Sequence, residues 1–147
     1  MPATLKAPTL SDLYESDEVA WYGAMIELID LGRTEALDLV NLKELLGSMA
    51  NRERKEVKSR LRILLAHWLK WHYQPEKRTG SWKVTIDTQR SELQDDLGTS
   101  RVLYNHAIGI FGDVYWKALN DAANETGLPL ETFPETCPVH LDELLAE

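Results

Sequence analysis

The sequence has little of what several common protein classes require. Its 147 residues include a single cysteine, Cys137, so no disulfide can form within the chain and a reducing compartment is expected. No apolar run approaches the ~20 residues of a membrane span. The first residues carry no apolar stretch typical of a secretory signal. These absences predict a cytoplasmic protein that does not enter the membrane.

Signals for β-strands are also scarce. The chain contains no Asn-Gly or Asp-Gly hairpin turn, and no stretch combines alternating polarity with β-branched and aromatic residues. Apolar residues recur instead at steps of three and four, which is the period of a helix. The composition, 44% hydrophobic and 27% charged, is ordinary for a globular protein. We therefore predict an all-α fold, a bundle of about five helices.

Capping residues, glycines and prolines predict where these helices begin and end. The first begins with Ser11 or Asp12 as its cap and ends at Gly32, and the second runs from about Glu35 or Asp38 to Met49. The third spans about 52–74 and stops before Pro75. The fourth begins after Ser81 as its cap, and the fifth ends at Gly127. We expect one helical domain over 1–147, with residues 1–10 flexible and 129–147 forming an extended, proline-containing arm.

The third helix is predicted to lie at the centre of the bundle. Its apolar positions fall on one line along the helix, and Leu65, Ile63 and Leu69 extend the apolar surface around the axis. The residues on that line are Val57, Leu61, Leu64, Trp68 and Trp71. A helix that is apolar around more than half of its circumference must be covered by neighbours on most sides.

Charge is distributed unevenly along this acidic chain, whose net charge is −8. Residues 1–51 carry a net charge of −6, residues 52–90 a net charge of +7, and residues 91–147 a net charge of −9. Acidic flanks argue against general nucleic-acid binding, because phosphates would be repelled. The basic middle segment keeps a nucleic-acid interface open as an alternative.

Motifs for catalysis, metals and cofactors are missing. His67 and His72 are five residues apart, so on one helix they point about 140° away from each other and cannot share an ion. Cys137 and His140 have the spacing of half a zinc site, without a second pair. The chain has no Gly-x-Ser-x-Gly elbow and no phosphate-binding glycine loop. We predict no catalytic residue, no metal ligand and no cofactor, and consider an enzyme the weaker interpretation.

A ridge of basic side chains follows the third helix at steps of four and eight residues. This basic ridge consists of Arg54, Lys58, Arg62 and Lys70. Such a ridge could contact phosphates. It could equally pair with acidic residues of the first or fifth helix, which would neutralise it within the protein.

A second polar row borders the apolar line of the third helix. Arg60, His67 and Gln74 are spaced by sevens, so their polar ends are half-buried and need partners. Asp17 on the first helix is one candidate partner, which would make the row a structural network. Alternatively, His67 and Gln74 line a small-ligand pocket with Arg78 and Trp82. Together these six residues form the candidate polar edge.

The segment 64–75, LLAHWLKWHYQP, resembles the signature of a bacterial family catalogued as domain of unknown function twenty-nine. Arg78, Ser81-Trp82 and Ile86 follow it as in that family. The resemblance extends to Leu13-Tyr14 with Asp17 and Trp21, to Asn41-Leu42-x-Glu44, to Gly127-Leu-Pro129, to Phe133-Pro134 and to Cys137-Pro138. It implies an all-helical single domain and no particular activity.

The sequence thus favours a small helical interaction or regulatory protein. Its partner is expected to be another protein or a second copy of the chain. Binding of nucleic acid or of a small ligand through the helix and turn over 52–82 is the alternative.

Overall fold

A computed structural model of the chain describes residues 8–147 and confirms the all-α prediction. Its described residues contain no strand, only helices and short 3₁₀ turns at Thr34–Ala36, Pro75–Lys77 and Leu130–Thr132. The six α-helices are α1 (Leu10–Ser16), α2 (Glu18–Asp30), α3 (Leu39–Tyr73), α4 (Gly80–Thr99), α5 (Arg101–Thr126) and α6 (Leu141–Ala146). The chain divides between Ala50 and Asn51 into two compact units, the first unit up to Ala50 and the second unit from Asn51 to Glu147, and α3 contributes to both.

The first unit begins with a helix cap earlier than predicted. The Thr9 hydroxyl accepts from the backbone N–H of Asp12 at 3.2 Å, and the Asp12 carboxylate accepts from the backbone N–H of Thr9 at 3.0 Å. This reciprocal pair is a capping box, so neither Ser11 nor Asp12 is the cap. The flexibility predicted for residues 1–10 concerns a segment of which 1–7 lie outside the described residues.

The predicted first helix is divided into two at Asp17. The backbone of Asp17 leaves the helical region, and its carboxylate accepts from the backbone N–H of Ala20 at 3.1 Å, which caps α2. Apolar periodicity continues across this position, and a single capping side chain is a weak signal within a periodic segment. The prediction of one continuous helix was therefore wrong. Gly32, just beyond α2, has a φ of 69°, a conformation that favours glycine.

The core of the first unit is a small polar network around Asp38. The buried indole of Trp21 donates to Asp38 at 3.1 Å, and the side-chain amide of Asn41 donates to the same oxygen at 2.7 Å. The other oxygen of Asp38 accepts from the backbone N–H of Asn41 at 3.3 Å, in the manner of a helix cap at the start of α3. The Asn41 amide also reaches Ser11 of α1. One carboxylate thus joins α2 to the start of α3.

The helices predicted over 35–49 and 52–74 are one helix, α3, of 35 residues. The two residues between them are Ala50 and Asn51. Neither is a proline or a glycine, and neither has a left-handed backbone conformation that would end a helix. Gly47 within α3 costs only about 1 kcal/mol relative to alanine, which does not end a helix. The expected break was therefore wrong.

The second unit is built around the rest of α3, as predicted. Val57, Leu61 and Leu64 are fully buried, Trp68 is buried, and Trp71 is half-buried. Leu65 and Leu69, on other sides of the helix, are also fully buried. The core cluster adds residues of α4, α5 and α6. This segment of α3 is therefore surrounded on most sides.

The remaining helices of the second unit follow the predicted turns with one shift. The cap of α4 is Thr79, whose hydroxyl accepts from the backbone N–H of Trp82 at 3.1 Å, so Ser81 is the second residue of the helix rather than its cap. Gly127 ends α5 in a left-handed conformation with a φ of 71°. In the arm that follows, Phe133, Leu141 and Leu144 are buried in the core. The predicted extended arm thus contains the short helix α6 and contributes side chains to the hydrophobic core.

Replacing Asp38 with alanine should destabilise the first unit. The change removes a helix cap and leaves the Trp21 indole without its acceptor, so the free energy of unfolding should fall by about 2 kcal/mol. Hydrogen bonds from Asn41 hold the pKa of Asp38 below its ordinary value. Its contribution is therefore present at neutral pH and is lost as the pH falls through that lowered pKa.

Urea denaturation monitored by circular dichroism provides the measurement. Asp30→Ala is the matched control, because Asp30 is an exposed carboxylate at the end of α2 and should change stability by less than about 0.5 kcal/mol. Equal stability of the two variants would show that Asp38 does not hold the first unit together.

Candidate functional site

The structure distributes the candidate polar edge over both units. Asp17 belongs to the first unit, where its carboxylate caps α2. Arg60 belongs to the second unit and bonds to Glu56 at 2.6 Å and to Gln89 of α4 at 3.3 Å. Glu92 and Asp96 of α4 lie within 4.0 Å of its guanidinium. The partners of Arg60 are thus supplied by α3 and α4.

The other four edge residues also have structural contacts within the second unit. The Nδ1 atom of His67 lies 2.9 Å from the backbone oxygen of Ile63, and Gln74 is buried at the end of α3. Arg78 folds back, donating to the backbone oxygen of Trp71 at 2.8 Å and covering the Trp71 ring at 4.6 Å. The ring of Trp82 lies 4.9 Å from the Lys70 ammonium. These contacts do not test the predicted network with Asp17, so that network and a ligand role for the edge both stay predictions.

The basic ridge meets acidic residues of α5 at two of its four positions. Arg62 binds Asp121 through two hydrogen bonds, of 2.6 and 2.8 Å. Each partner favours the charged form of the other, so the pKa of Asp121 is lowered and that of Arg62 is raised. The buried ammonium of Lys70 lies 2.6 Å from Glu125. Pairing with α5, one of the two alternatives, accounts for these two positions.

The first two residues of the ridge are in a different environment. Lys58 is exposed and lies beside Lys117 of α5, and hydrogen bonding and repulsion from Lys58 lower the pKa of Lys117. Arg54 is partly exposed. The ridge is therefore not one continuous free surface, because its second half is neutralised within the protein.

A cavity of about 270 Å³ lies in the second unit, on a different set of residues from the predicted pocket. Its lining is Trp68, Trp71 and His72 of α3, Lys83, Ile86, Asp87 and Arg90 of α4, and Glu147. The Trp68 indole donates to the Glu147 carboxylate at 3.0 Å, and an Arg90 nitrogen lies 3.6 Å from the same oxygen. The His72 ring stands 4.3 Å from the Trp68 ring. The cavity thus combines aromatic rings with two cations and two carboxylates.

The sequence did not predict that these residues line a cavity, although the spacing of Lys83 and Arg90 was a usable signal. Lys83 and Arg90 are seven residues apart and border the apolar line of α4, just as Arg60 and His67 border that of α3. The contribution of Glu147 could not be found in this way, because it depends on how the arm returns to the core.

The first unit presents an unusual amount of apolar surface. Among the described residues, thirteen large hydrophobic side chains are exposed, and nine of them belong to this unit. These nine are Val19, Tyr22, Ile26, Ile29, Leu31, Leu39, Val40, Leu46 and Met49. Exposed apolar side chains mark an interaction site where they form a contiguous patch, whereas singly scattered ones are normal.

The profile of the family described as "Domain of unknown function DUF29" matches residues 13–147. The chain belongs to the DUF29 family. The matched range contains both units of the DUF29 chain from Leu13 onward, including the nine exposed apolar residues and the cavity. Comparisons with curated proteins and with solved structures found no significant match.

Two further observations concern residues 8–147 of this DUF29 chain. None of its helices there combines the length and apolar character needed to cross a bilayer. Within the same range, no three His, Cys, Asp or Glu side chains are grouped so that they could hold a metal ion.

The Lys70–Glu125 pair of the DUF29 chain can be tested by removing either partner. Glu125→Gln leaves the buried ammonium without its counter-charge and should cost about 1–2 kcal/mol of unfolding free energy. Lys70→Met removes the charge together with its desolvation and should be neutral or stabilising. Thermal denaturation measures both. A stable Glu125→Gln protein with an unstable Lys70→Met protein would contradict the pairing.

Burial lowers the pKa values of His67 and His72. Lys70 also lowers the pKa of His67, whereas the Ile63 carbonyl and Glu125 raise it. Around His72, Glu147 raises the pKa, and Arg78 and Arg90 lower it. In both cases burial is the largest cause, so the neutral ring is favoured in the folded protein.

The unfolded state therefore binds protons more readily at these two histidines. The free energy of unfolding should decrease as the pH falls from about 7.5 through the unfolded pKa of about 6.5 toward the lowered folded values. The double variant His67→Gln/His72→Gln should show a weaker pH dependence in urea denaturation. An unchanged pH dependence would show that these rings do not titrate as the structure requires.

Proposed function

We propose that this DUF29 chain is an interaction protein whose first unit binds an amphipathic, basic helix of a partner protein. The observation that carries the proposal is the set of nine exposed apolar side chains between Val19 and Met49. The interaction site comprises the exposed apolar lines of α2 and of the start of α3.

The spacing of these side chains suits a helical ligand. On α2, Val19, Tyr22, Ile26 and Ile29 follow one another at steps of three, four and three residues. On α3, Leu39, Leu42, Leu46 and Met49 have the same steps, with Leu42 half-buried. This is the spacing with which one helix accepts the side chains of another. The spacing of each line therefore suits packing against a helix.

The apolar lines are separate from the core of the first unit. On α2 the buried residues are Trp21 and Met25, which point about 120° and about 80° away from the middle of the exposed line. Val19 is 75% exposed and Ile26 is 58% exposed, so these side chains do not contribute to the core. Their apolar character has no structural role within the unit, which supports a role in binding.

The charge of the first unit indicates the chemistry of the partner. Residues 1–51 carry a net charge of −6, and Glu18, Glu27 and Asp30 lie on α2 itself. Two copies of so acidic a surface would repel each other, whereas a helix with lysine or arginine beside its apolar positions would be attracted. We therefore commit to a basic partner helix over a second copy of the chain.

The second unit provides less support for nucleic-acid binding as the function. Asp121 and Glu125 neutralise Arg62 and Lys70, and this leaves Arg54 and Lys58 as the outer part of the ridge. A phosphate surface would need several basic side chains that are free at the same time.

A designed peptide provides the probe for this proposal. We suggest a helix of about three heptads with leucine at positions a and d and lysine at e and g. It should bind the full chain in isothermal titration calorimetry, and its affinity should fall as salt is added. Val19→Ser/Ile26→Ser should weaken binding about tenfold or more, because burying the exposed part of each side chain contributes about 1 kcal/mol.

Val84→Ser/Val102→Ser is the matched control, since it removes two exposed valines of the second unit and should leave the affinity unchanged. A scrambled peptide of the same composition tests for simple charge attraction. The proposal fails if the scrambled peptide, or one with glutamate in place of lysine, binds equally well. It also fails if light scattering shows a dimer of the chain that Val19→Ser/Ile26→Ser dissociates, because the occupant would then be a second copy.

A further inference from the structure

The cavity of the second unit holds a carboxylate from the chain itself. The Glu147 carboxylate accepts a hydrogen bond from the Trp68 indole at 3.0 Å and faces the Arg90 guanidinium at 3.6 Å. Neither the Trp68 indole nor the Arg90 guanidinium belongs to the interaction site proposed for the first unit. We propose that the cavity is a binding site for a small carboxylic acid with a flat apolar body, and that such a ligand displaces the Glu147 side chain.

The groups that receive the carboxylate are held in place. Trp68 is 5% exposed and belongs to the core cluster. The Arg90 side chain is 11% exposed, and its Nε donates to the backbone oxygen of Leu144 at 3.0 Å. Another Arg90 nitrogen lies 3.8 Å from Asp87. A donor and a cation fixed before binding lower the entropic cost of binding a ligand.

The carboxylate that occupies these groups is less restrained. Glu147 follows α6, a helix of six residues, and its side chain is 44% exposed. Exchanging one carboxylate for another preserves the hydrogen bond to Trp68 and the charge opposite Arg90. Displacement therefore costs little more than reorienting one exposed side chain.

The shape and lining of the cavity indicate the rest of the ligand. A volume of about 270 Å³ lies just below the range of about 300–1,000 Å³ for small-molecule sites, so only a compact ligand would fit. The rings of Trp68, Trp71 and His72 with the Ile86 side chain form its apolar wall. A compact aromatic acid would place its ring against these groups and its carboxylate at Trp68 and Arg90.

Charge inside the cavity favours an anion once Glu147 has moved away. The lining contains two cations, Lys83 and Arg90, and two acids, Asp87 and Glu147. Asp87 pairs with Lys83 at 2.7 Å. When Glu147 has moved away, Asp87 is the one acid left opposite the two cations. The lining without Glu147 therefore carries one net positive charge. A neutral ligand of the same shape would gain nothing from it.

Benzoate is the probe for this site, with benzamide as its uncharged counterpart. Titrations of the full chain followed by NMR of the tryptophan indole N–H groups should show saturable binding of benzoate and none of benzamide. Glu147→Gln should lower the dissociation constant for benzoate at least threefold, because the competing carboxylate has been removed. Lys83→Gln should raise it at least twofold, whereas Lys77→Gln, a change at an exposed lysine outside the cavity, should leave it unchanged.

Three results would overturn the proposal. The first is the absence of saturable benzoate binding to both the wild-type protein and Glu147→Gln. The second is equal binding of benzoate and benzamide, which would show that no carboxylate is recognised. The third is unchanged or weaker binding by Glu147→Gln, which would show that Glu147 does not compete for the site. The indole spectrum of each variant also reports whether it is folded, so a folding defect cannot be mistaken for a loss of binding.

Discussion

Burial of the α3 segment from Val57 to Leu69 is the constraint on which the second unit depends. Val57, Leu61, Leu64 and Leu65 have no exposed surface, and neither has Leu69. Side chains in contact with α3 on several sides must come from other helices, which fixes where α4, α5 and the arm can lie. The two bonds between Arg62 and Asp121 and the pair of Lys70 with Glu125 then align α5 along the same segment.

The same helix has a different environment in the first unit. Between Leu39 and Met49 its apolar residues are half-buried or exposed, and the start of the helix is held by hydrogen bonds between Asp38 and Asn41. A unit held by one carboxylate network and two buried apolar side chains, Trp21 and Met25, has little hydrophobic surface of its own in its core. Burial of its exposed side chains by a partner would therefore add stability as well as affinity.

Much of the fold could be predicted from the sequence, because it rests on local signals. The line of apolar residues in α3, the stop before Pro75 and the left-handed Gly127 each depend on a few neighbouring residues. The sequence predicted a continuous helix through Asp17, where the structure has a division. It also predicted a break near Ala50 and Asn51, where the structure has a continuous helix. In both cases the outcome depends on small differences in capping and propensity, about 1 kcal/mol each, that tertiary contacts decide.

The candidate sites were harder to predict, because each depends on residues far apart in the sequence. Spacing correctly suggested that basic residues of α3 could pair with the fifth helix, but it could not show that Lys70 would be buried against Glu125 and Trp82. The cavity joins Trp68 to Glu147, which are separated by most of the second unit. The exposed line on α2 could not be predicted for another reason. In the sequence, Val19 and Ile26 are apolar residues at helical spacing, as core residues are.

Hydrogen exchange of the backbone amides along α3 tests the account most directly. Amides from Leu61 to Leu69 should exchange only through global unfolding of the second unit, because their side chains are buried. Amides from Lys43 to Glu56 should exchange faster yet remain protected without interruption, as expected for one helix with exposed apolar residues. A run of unprotected amides around Ala50 and Asn51, or equal protection over the whole helix, would contradict the account.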